Sequence, residues 1–213
     1  MSETFRPRFP TYDVLDKWHS PSWNEQTREV VRKRLNEVPQ RRFFTEGEWG
    51  LLQAICDRLI PQPDRPEAPV PIVPFIDAKL HEGRGNGYRY ADMPPQREAW
   101  RQGLRAIDDE ARLRWGKVFR ELPDNQRDAV LRAVQHGDVQ SPEWQGLPPK
   151  RFFTSTLLHE AVSVYYAHPA AWSEIGFGGP ASPRGYVRLA IDRRDAWEAI
   201  EGEPIERKAA GDD

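Results

Sequence analysis

The stretch from Ser163 to Val187, SVYYAHPAAWSEIGFGGPASPRGYV, constrains this chain more than any other. Pro169, Pro180 and Pro183 fix φ, while Gly176, Gly178, Gly179 and Gly185 permit positive φ or a close backbone approach. Interleaved with them are Tyr165, Tyr166, Trp172, Phe177 and Tyr186. This chemistry describes an ordered loop that holds its rings against something, not a flexible linker. What they meet is either the protein's own helices or a partner, because cores and interface hot spots draw on the same large side chains. Arg184 stands between Pro183 and Gly185, where a guanidinium suits carbonyls of its own loop or a carboxylate across an interface. Glu174 is a local mate for it. The candidate partner-contact residues are Tyr165, Tyr166, Trp172, Phe177, Pro180, Arg184 and Tyr186.

Ahead of that segment, apolar residues recur at helical spacing between proline breaks. Residues 1–21, with Phe5, Phe9, Tyr12 and Trp18 among prolines, show no helical period and predict an arm running extended over its own body or a partner. Ser22-x-x-Glu25 reads as a capping box for a charged surface helix that Pro39 closes. Thr45-x-x-Glu48 reads as a second box, followed by a core stripe of Trp49, Leu52, Ile55, Cys56, Leu59 and Ile60. A proline-rich connector, 61–74, leads to a short helix carrying Phe75, Ile76 and Leu80. A Gly-rich loop, 82–95, follows, with Tyr88 and Tyr90 as further contact candidates.

The longest helix is predicted from Asp92 to Arg120, with Trp100, Leu104, Ile107, Ala111, Trp115 and Val118 inward. Asp124 caps the next helix, which ends near Gly137. After a loop containing Trp144, a helix over 150–166 delivers the chain to the aromatic segment. No β-period dominates anywhere. The expected fold is all-α: a single helical domain of about six helices with long ordered loops and an extended N-terminal arm. Its expected divisions are an arm and surface helix (1–40), a helical body (41–200) and an acidic tail (201–213).

Two of these stretches carry a resemblance. YYAHPAAWSEIGFGGPASPRGY has a Tyr-Tyr ending a helix, a turn with Pro, a Trp, an Ile-Gly-aromatic step, then Gly-Pro and Gly-Tyr. FFTEGEWGLLQAICDRLIP, Phe43 to Pro61, has a Phe-Thr start, an apolar stripe and an Ile-Pro end. In this order, and bracketing Phe43 to Tyr186, they resemble the gluconate 2-dehydrogenase subunit 3 family. The resemblance implies a small, mostly helical, cofactor-free subunit that binds a large flavin-dependent sugar or polyol dehydrogenase, often beside a cytochrome c. FAD and the catalytic histidine would then belong to the large partner. The arm, residues 1–21, lies outside the resemblance.

The remaining features exclude more than they assign. With 31 basic and 33 acidic residues, no strong field favours nucleic acid or a membrane surface. Composition (38% hydrophobic, 30% charged) is that of a soluble globular chain. Cys56 is the only cysteine, so no internal disulfide, multi-cysteine metal site or c-type haem attachment is encoded. The first residues lack a basic stretch followed by an apolar run, so the expected address is the cytoplasm, with export only on a partner's signal.

His159-Glu160 fails as a helical zinc motif because Ser163 stands where a second histidine is required. His81, His136 and His168 each sit near a helix end, where the dipole favours a positive side chain. Asp108, Asp109 and Glu110 read as a solvated face, and Asp57-Arg58 as an ion pair at a helix end. The run Gly83-Arg84-Gly85-Asn86-Gly87 lacks the ending of a phosphate loop and the pattern of a dinucleotide fingerprint. No catalytic, cofactor-binding or metal-ligating residue is expected.

The leading expectation is a non-catalytic accessory subunit of a flavin-dependent oxidoreductase acting on a sugar, sugar acid or glycoside. The alternative is a stand-alone helical sugar-binding protein or enzyme whose aromatic loops stack on the sugar. A structural scaffold is a third reading, one that would bind a partner without altering its activity.

Overall fold

Prolines and glycines set the helix ends. The computed structural model describes residues 8–87, 90–182, 185, 195 and 197–200. Its α-helices are α1 (Glu25–Asn36), α2 (Glu46–Leu59), α3 (Ile72–His81), α4 (Gln96–Trp115), α5 (Asp124–His136), α6 (Pro149–Arg151), α7 (His159–Tyr166) and α8 (Pro169–Ile175). A π-helix, Phe152–Leu158, joins α6 to α7, and 3-10 turns lie at Val14–Lys17, Phe119–Glu121 and Pro142–Trp144. Among the described residues there is no β-strand, only an isolated parallel bridge between Trp23 and Ser182. The fold is all-α, as the patterning predicts.

The chain forms two compact units, one from Met1–Glu37 with Tyr166–Asp213 and one from Val38–Tyr165.

In the larger unit α2 starts at the expected box, with Thr45 accepting from the Glu48 amide and Glu48 reaching back to the Thr45 amide. Leu51, Leu52, Ile55 and Cys56 are buried on it. Trp100, Leu104, Ile107 and Ala111 supply the facing stripe of α4, each with 0% exposure. Each such large side chain contributes about 1.5–3 kcal/mol by leaving water.

An aromatic chain threads this core. Phe44 meets Trp100 at 6.0 Å, Trp100 meets Phe152 at 6.1 Å, and Phe152 meets Trp144 at 5.9 Å. The two Arg-Phe-Phe-Thr strings, at 42–45 and 151–154, thus both feed one aromatic residue, Trp100. Gly103 makes room for this contact, since a Cβ there would lie 2.2 Å from Phe152 Cζ.

Several elements depart from the expectations set by the sequence. α4 stops at Trp115, not Arg120, because Gly116 adopts a left-handed C-cap that ends the helix (φ 67°). α3 begins at Ile72, so Pro74 lies within its first turn, where a missing N–H costs no helical bond.

The acidic run on α4 is not a solvated face. Glu110 is fully buried and accepts from the Gln140 and Ser141 amides, both at 2.6 Å. Asp109 accepts from the Ser141 hydroxyl, and Asp108 from the Phe119 amide at 2.9 Å. These carboxylates fasten the loops after α4 and α5 by satisfying amides that no helix satisfies.

Arg58 does not pair with Asp57. It reaches Asp128 through Nε at 2.8 Å and Asp124 through Nη1 at 2.7 Å, while Asp57 accepts from Gln53. Asp77, with 0% exposure, accepts from the amides of Arg42, Phe43 and Phe44 at 2.7, 3.0 and 2.8 Å. It anchors the chain as it enters α2.

In the smaller unit, Val14, Trp23, Val31 and Trp172 form a buried cluster, with Tyr12, Leu15, Trp18 and Leu35 packed around it. The described part of the arm is therefore not an extended strap. It winds into the 3-10 turn Val14–Lys17, and Val14 is fully buried. The cap of α1 also differs from the Ser22 box: Asn24 is the N-cap and accepts from the Thr27 amide at 2.9 Å. Ser22 instead accepts at its carbonyl from the Ser182 amide.

Candidate functional site

The aromatic segment contains a helix that its sequence does not announce. His168 is the N-cap of α8, Pro169 occupies the first turn, and Gly176 closes it in the left-handed conformation. The N-terminal residues fasten this helix. The Val14 amide donates to Ser173 Oγ at 3.1 Å, and the Lys17 ammonium donates to the Gly178 carbonyl. Lys17 also lies 5.3 Å from the centre of the Trp23 ring, and burial holds its ammonium below the ordinary lysine range, with Asp195 opposing that shift. A side chain at Gly179 would collide with Trp172 and crowd Trp23, so both rings close over bare backbone there.

This arrangement divides the candidate residues. Trp172 is 4% exposed and donates its indole N–H to the Tyr166 carbonyl at 2.7 Å. Tyr165, in the larger unit, is likewise 4% exposed, with Arg65 over its ring. Both belong to cores. Phe177 stands T-shaped on Trp172 at 6.0 Å yet remains 42% exposed, and Tyr166 is 45% exposed. Pro180 is exposed as well. Arg184, Tyr186 and Tyr88 lie outside the described residues, as do the expected short stretch 187–191 and the acidic tail.

Beside these residues is a shallow groove of about 270 Å³, lined by α1 and the segment's end through Val30, Arg34, Trp172, Pro180 and Ser182. Arg34 donates to the Ala167 carbonyl, and burial lowers the pKa of its guanidinium. Val30 and Ile175 add exposed apolar surface to this unit. A patch of large apolar side chains around a rigid indole is the composition that protein partners select.

The larger unit holds a second, larger feature that the sequence reading missed. An open cleft of about 620 Å³ lies among the Gly-rich loop, the start of α4, the π-helix and α7. Glu160 lines it and is 2% exposed. Its Oε1 accepts from Lys79 Nζ at 2.7 Å and from Asn86 Nδ2 at 2.8 Å, and its Oε2 accepts from Lys79 at 2.8 Å. Asn86 in turn accepts from Lys79 at 2.5 Å. The Gly-rich run therefore places Asn86 against the pair of half-buried Lys79 and buried Glu160. The signal available in the sequence was Glu160's position between Leu157 and Ala161 on the inward stripe. His159, its neighbour, is exposed.

Tyr90 borders the cleft, with the Arg151 guanidinium 4.5 Å from its ring centre. Among the described residues, no group of three or more His, Cys, Asp and Glu is placed to hold a metal ion. No helix among them is long and apolar enough to cross a membrane.

An all-α chain with this aromatic Gly/Pro segment has a family. The family model described as gluconate 2-dehydrogenase subunit 3 matches residues 46–179, more than half of the chain. The chain belongs to the gluconate 2-dehydrogenase subunit 3 family, named for a subunit of a dehydrogenase complex. Searches of curated proteins and of solved structures returned no match. The family match starts at the first residue of α2 and ends at Gly179. The N-terminal residues that cover Trp172 lie outside it.

Proposed function

We propose that this chain is a non-catalytic accessory subunit that binds and stabilises a flavin-dependent oxidoreductase of the glucose–methanol–choline type. The partner would act on a sugar, sugar acid or glycoside and hold the FAD, with electrons leaving to a cytochrome or a quinone. One observation carries the reading: inside the family-matched region, Phe177 is set on the buried Trp172 yet left 42% exposed. A ring held rigid by its own core and left open to solvent loses little entropy on docking, which favours affinity. Tyr166 and Pro180 extend that surface. A subunit that binds only the folded partner stabilises it by mass action. The complex would reside in the cytoplasm, or be exported on a signal carried by the large subunit.

The test is co-expression with the flavoprotein encoded nearest this chain, followed by affinity capture, flavin absorbance and a dye-reduction assay. A yellow, active complex whose activity falls when this chain is omitted supports the reading. A colourless chain that never captures the flavoprotein overturns it.

A further inference from the structure

We propose that the cleft of the larger unit is a binding site for a neutral, hydroxyl-rich small molecule of monosaccharide size. Its volume of about 620 Å³ falls within the roughly 300–1,000 Å³ typical of small-molecule sites. The lining is built from two kinds of surface. Leu80, Met93, Pro94 and Ala99 are apolar, and Tyr90 adds an aromatic edge. Ser155, Thr156, Gln96 and Glu160 are polar.

The hydrogen-bonding capacity of those polar groups points to the ligand. A carboxylate accepts about four hydrogen bonds. Glu160 spends three, two on Oε1 and one on Oε2, so Oε2 keeps an open acceptor position. The hydroxyls of Ser155 and Thr156 and the amide of Gln96 have no side-chain hydrogen-bond partner among the described residues, and each can donate and accept. The two hydroxyls come from the π-helix, a departure from α geometry that recurs at functional sites.

Charge decides between ligand classes. Lys79 is committed to Glu160 through both carboxylate oxygens, and the other two charged residues of the described lining, Arg97 and Glu98, are of opposite sign. Among the described residues, the lining together with Lys79 thus carries no net charge to favour an anion or a cation. A molecule with C–H faces for the apolar wall and several hydroxyls for groups that both donate and accept meets every feature of the lining. A carboxylate or phosphate does not.

This inference does not rest on the accessory-subunit reading. The cleft lies within Val38–Tyr165, whereas Phe177, Tyr166 and Pro180 belong to the other unit.

The experiment is ligand-observed saturation-transfer NMR and calorimetry on the full chain without any partner. The neutral probes are D-glucose, D-xylose and myo-inositol, and gluconate is the anionic comparison. Saturable binding of at least one neutral probe is expected, with gluconate weaker. Affinity should fall about tenfold or more in the Ser155→Ala/Thr156→Val double variant, the effect of losing one or two hydrogen bonds. Gln96→Leu should act in the same direction. Glu160→Gln risks misfolding, so the hydroxyl variants, checked by circular dichroism, decide the matter. No saturable binding of any neutral probe, binding that survives the double variant, or a preference for gluconate each overturns the proposal.

Discussion

Trp172 donates its indole N–H to the backbone carbonyl of Tyr166 at 2.7 Å, tying α8 to the last residue of α7. The bond orients the indole so that one part of it joins the buried cluster with Val14, Trp23 and Val31 while Phe177 rests against it. Two aromatic residues five positions apart thereby take different roles, one in the core and one on the surface.

Truncating each should separate those roles. Trp172→Ala removes a nearly fully buried ring and should cost about 3–5 kcal/mol in urea melts. Phe177→Ala removes a half-exposed ring and should cost less than about 1 kcal/mol. If Phe177 contacts the flavoprotein, its variant loses co-purification while keeping its melting midpoint. Unchanged capture would remove Phe177 from the contact set.

Gly103→Ala should destabilise the larger unit, although alanine is the better helix former by about 1 kcal/mol. The added Cβ would sit 2.2 Å from Cζ and 2.5 Å from two further ring atoms of Phe152, which has 0% exposure and nowhere to retreat. Overpacking of this kind costs about 1–3 kcal/mol, so the steric effect wins. Thermal melts should show a lower Tm, and a second change, Phe152→Leu, should recover part of the loss.

Asp77→Ala should be among the most damaging polar substitutions. It strands the amides of Arg42, Phe43 and Phe44, of which the last two belong to buried residues. Each buried donor left unmade costs about 1–3 kcal/mol. Asp77→Asn, with one oxygen retained, should lose less in chemical denaturation. Amide hydrogen exchange should quicken at Phe43 and Phe44 in both variants.

The Arg58–Asp128 pair predicts a pH dependence. The Arg58 guanidinium, hydrogen-bonded to the carboxylate, holds Asp128 below the usual aspartate range. A depressed folded-state pKa stabilises above the unfolded value of about 3.9, and the contribution fades as pH falls through the folded value. Asp128 is about one-third exposed, so solvent screening limits the pair to about 0.5–1 kcal/mol. Asp128→Asn should therefore lower Tm at pH 7, and the gap to the unsubstituted protein should close as pH falls below about 4. A gap that persists in acid would mean the side chain acts by packing.

Cys56 is buried, and desolvation pushes its thiol far above the usual cysteine range, with the Asp57 charge adding to the shift. Iodoacetamide at pH 8 should leave the folded chain unlabelled and label it stoichiometrically in denaturant. Rapid labelling of the native protein would refute the assigned burial.

Local rules made a good part of this fold legible. The Thr45–Glu48 box follows from a spacing of three residues and holds. The centres of two stripes hold with it: Leu52, Ile55 and Cys56 on α2, and Trp100, Leu104, Ile107 and Ala111 on α4. Trp49, Leu59, Ile60 and Trp115 are only half-buried, and Val118 lies beyond α4. The resemblance in Phe43–Pro61 and Tyr165–Tyr186 was legible for the same reason, since a family signature is a local string, and the family match spans 46–179. The helix within the aromatic segment was obscured because its cap is a histidine side chain, accepting from Ala170 at 3.2 Å, and histidine is not among the usual caps. The acidic run on α4 misled because a charge pattern carries no record of the amides that another loop presents to it.

The sequence by itself determined the class of the protein. It is all-α, its helix ends are written in Pro, Gly and capping residues, and its family is carried by two strings. Tertiary structure alone decided which rings face inward and which carboxylates are buried. Trp172 is covered by residues that meet its helix from 159 positions away. Glu160 is neutralised by Lys79 from 81 away, and Asp77 anchors Phe43 from 34 away. The physical reason is range. Helical periodicity and capping act within about four residues and can be read along the chain, whereas desolvation of a given side chain depends on whichever distant segment the fold sets against it.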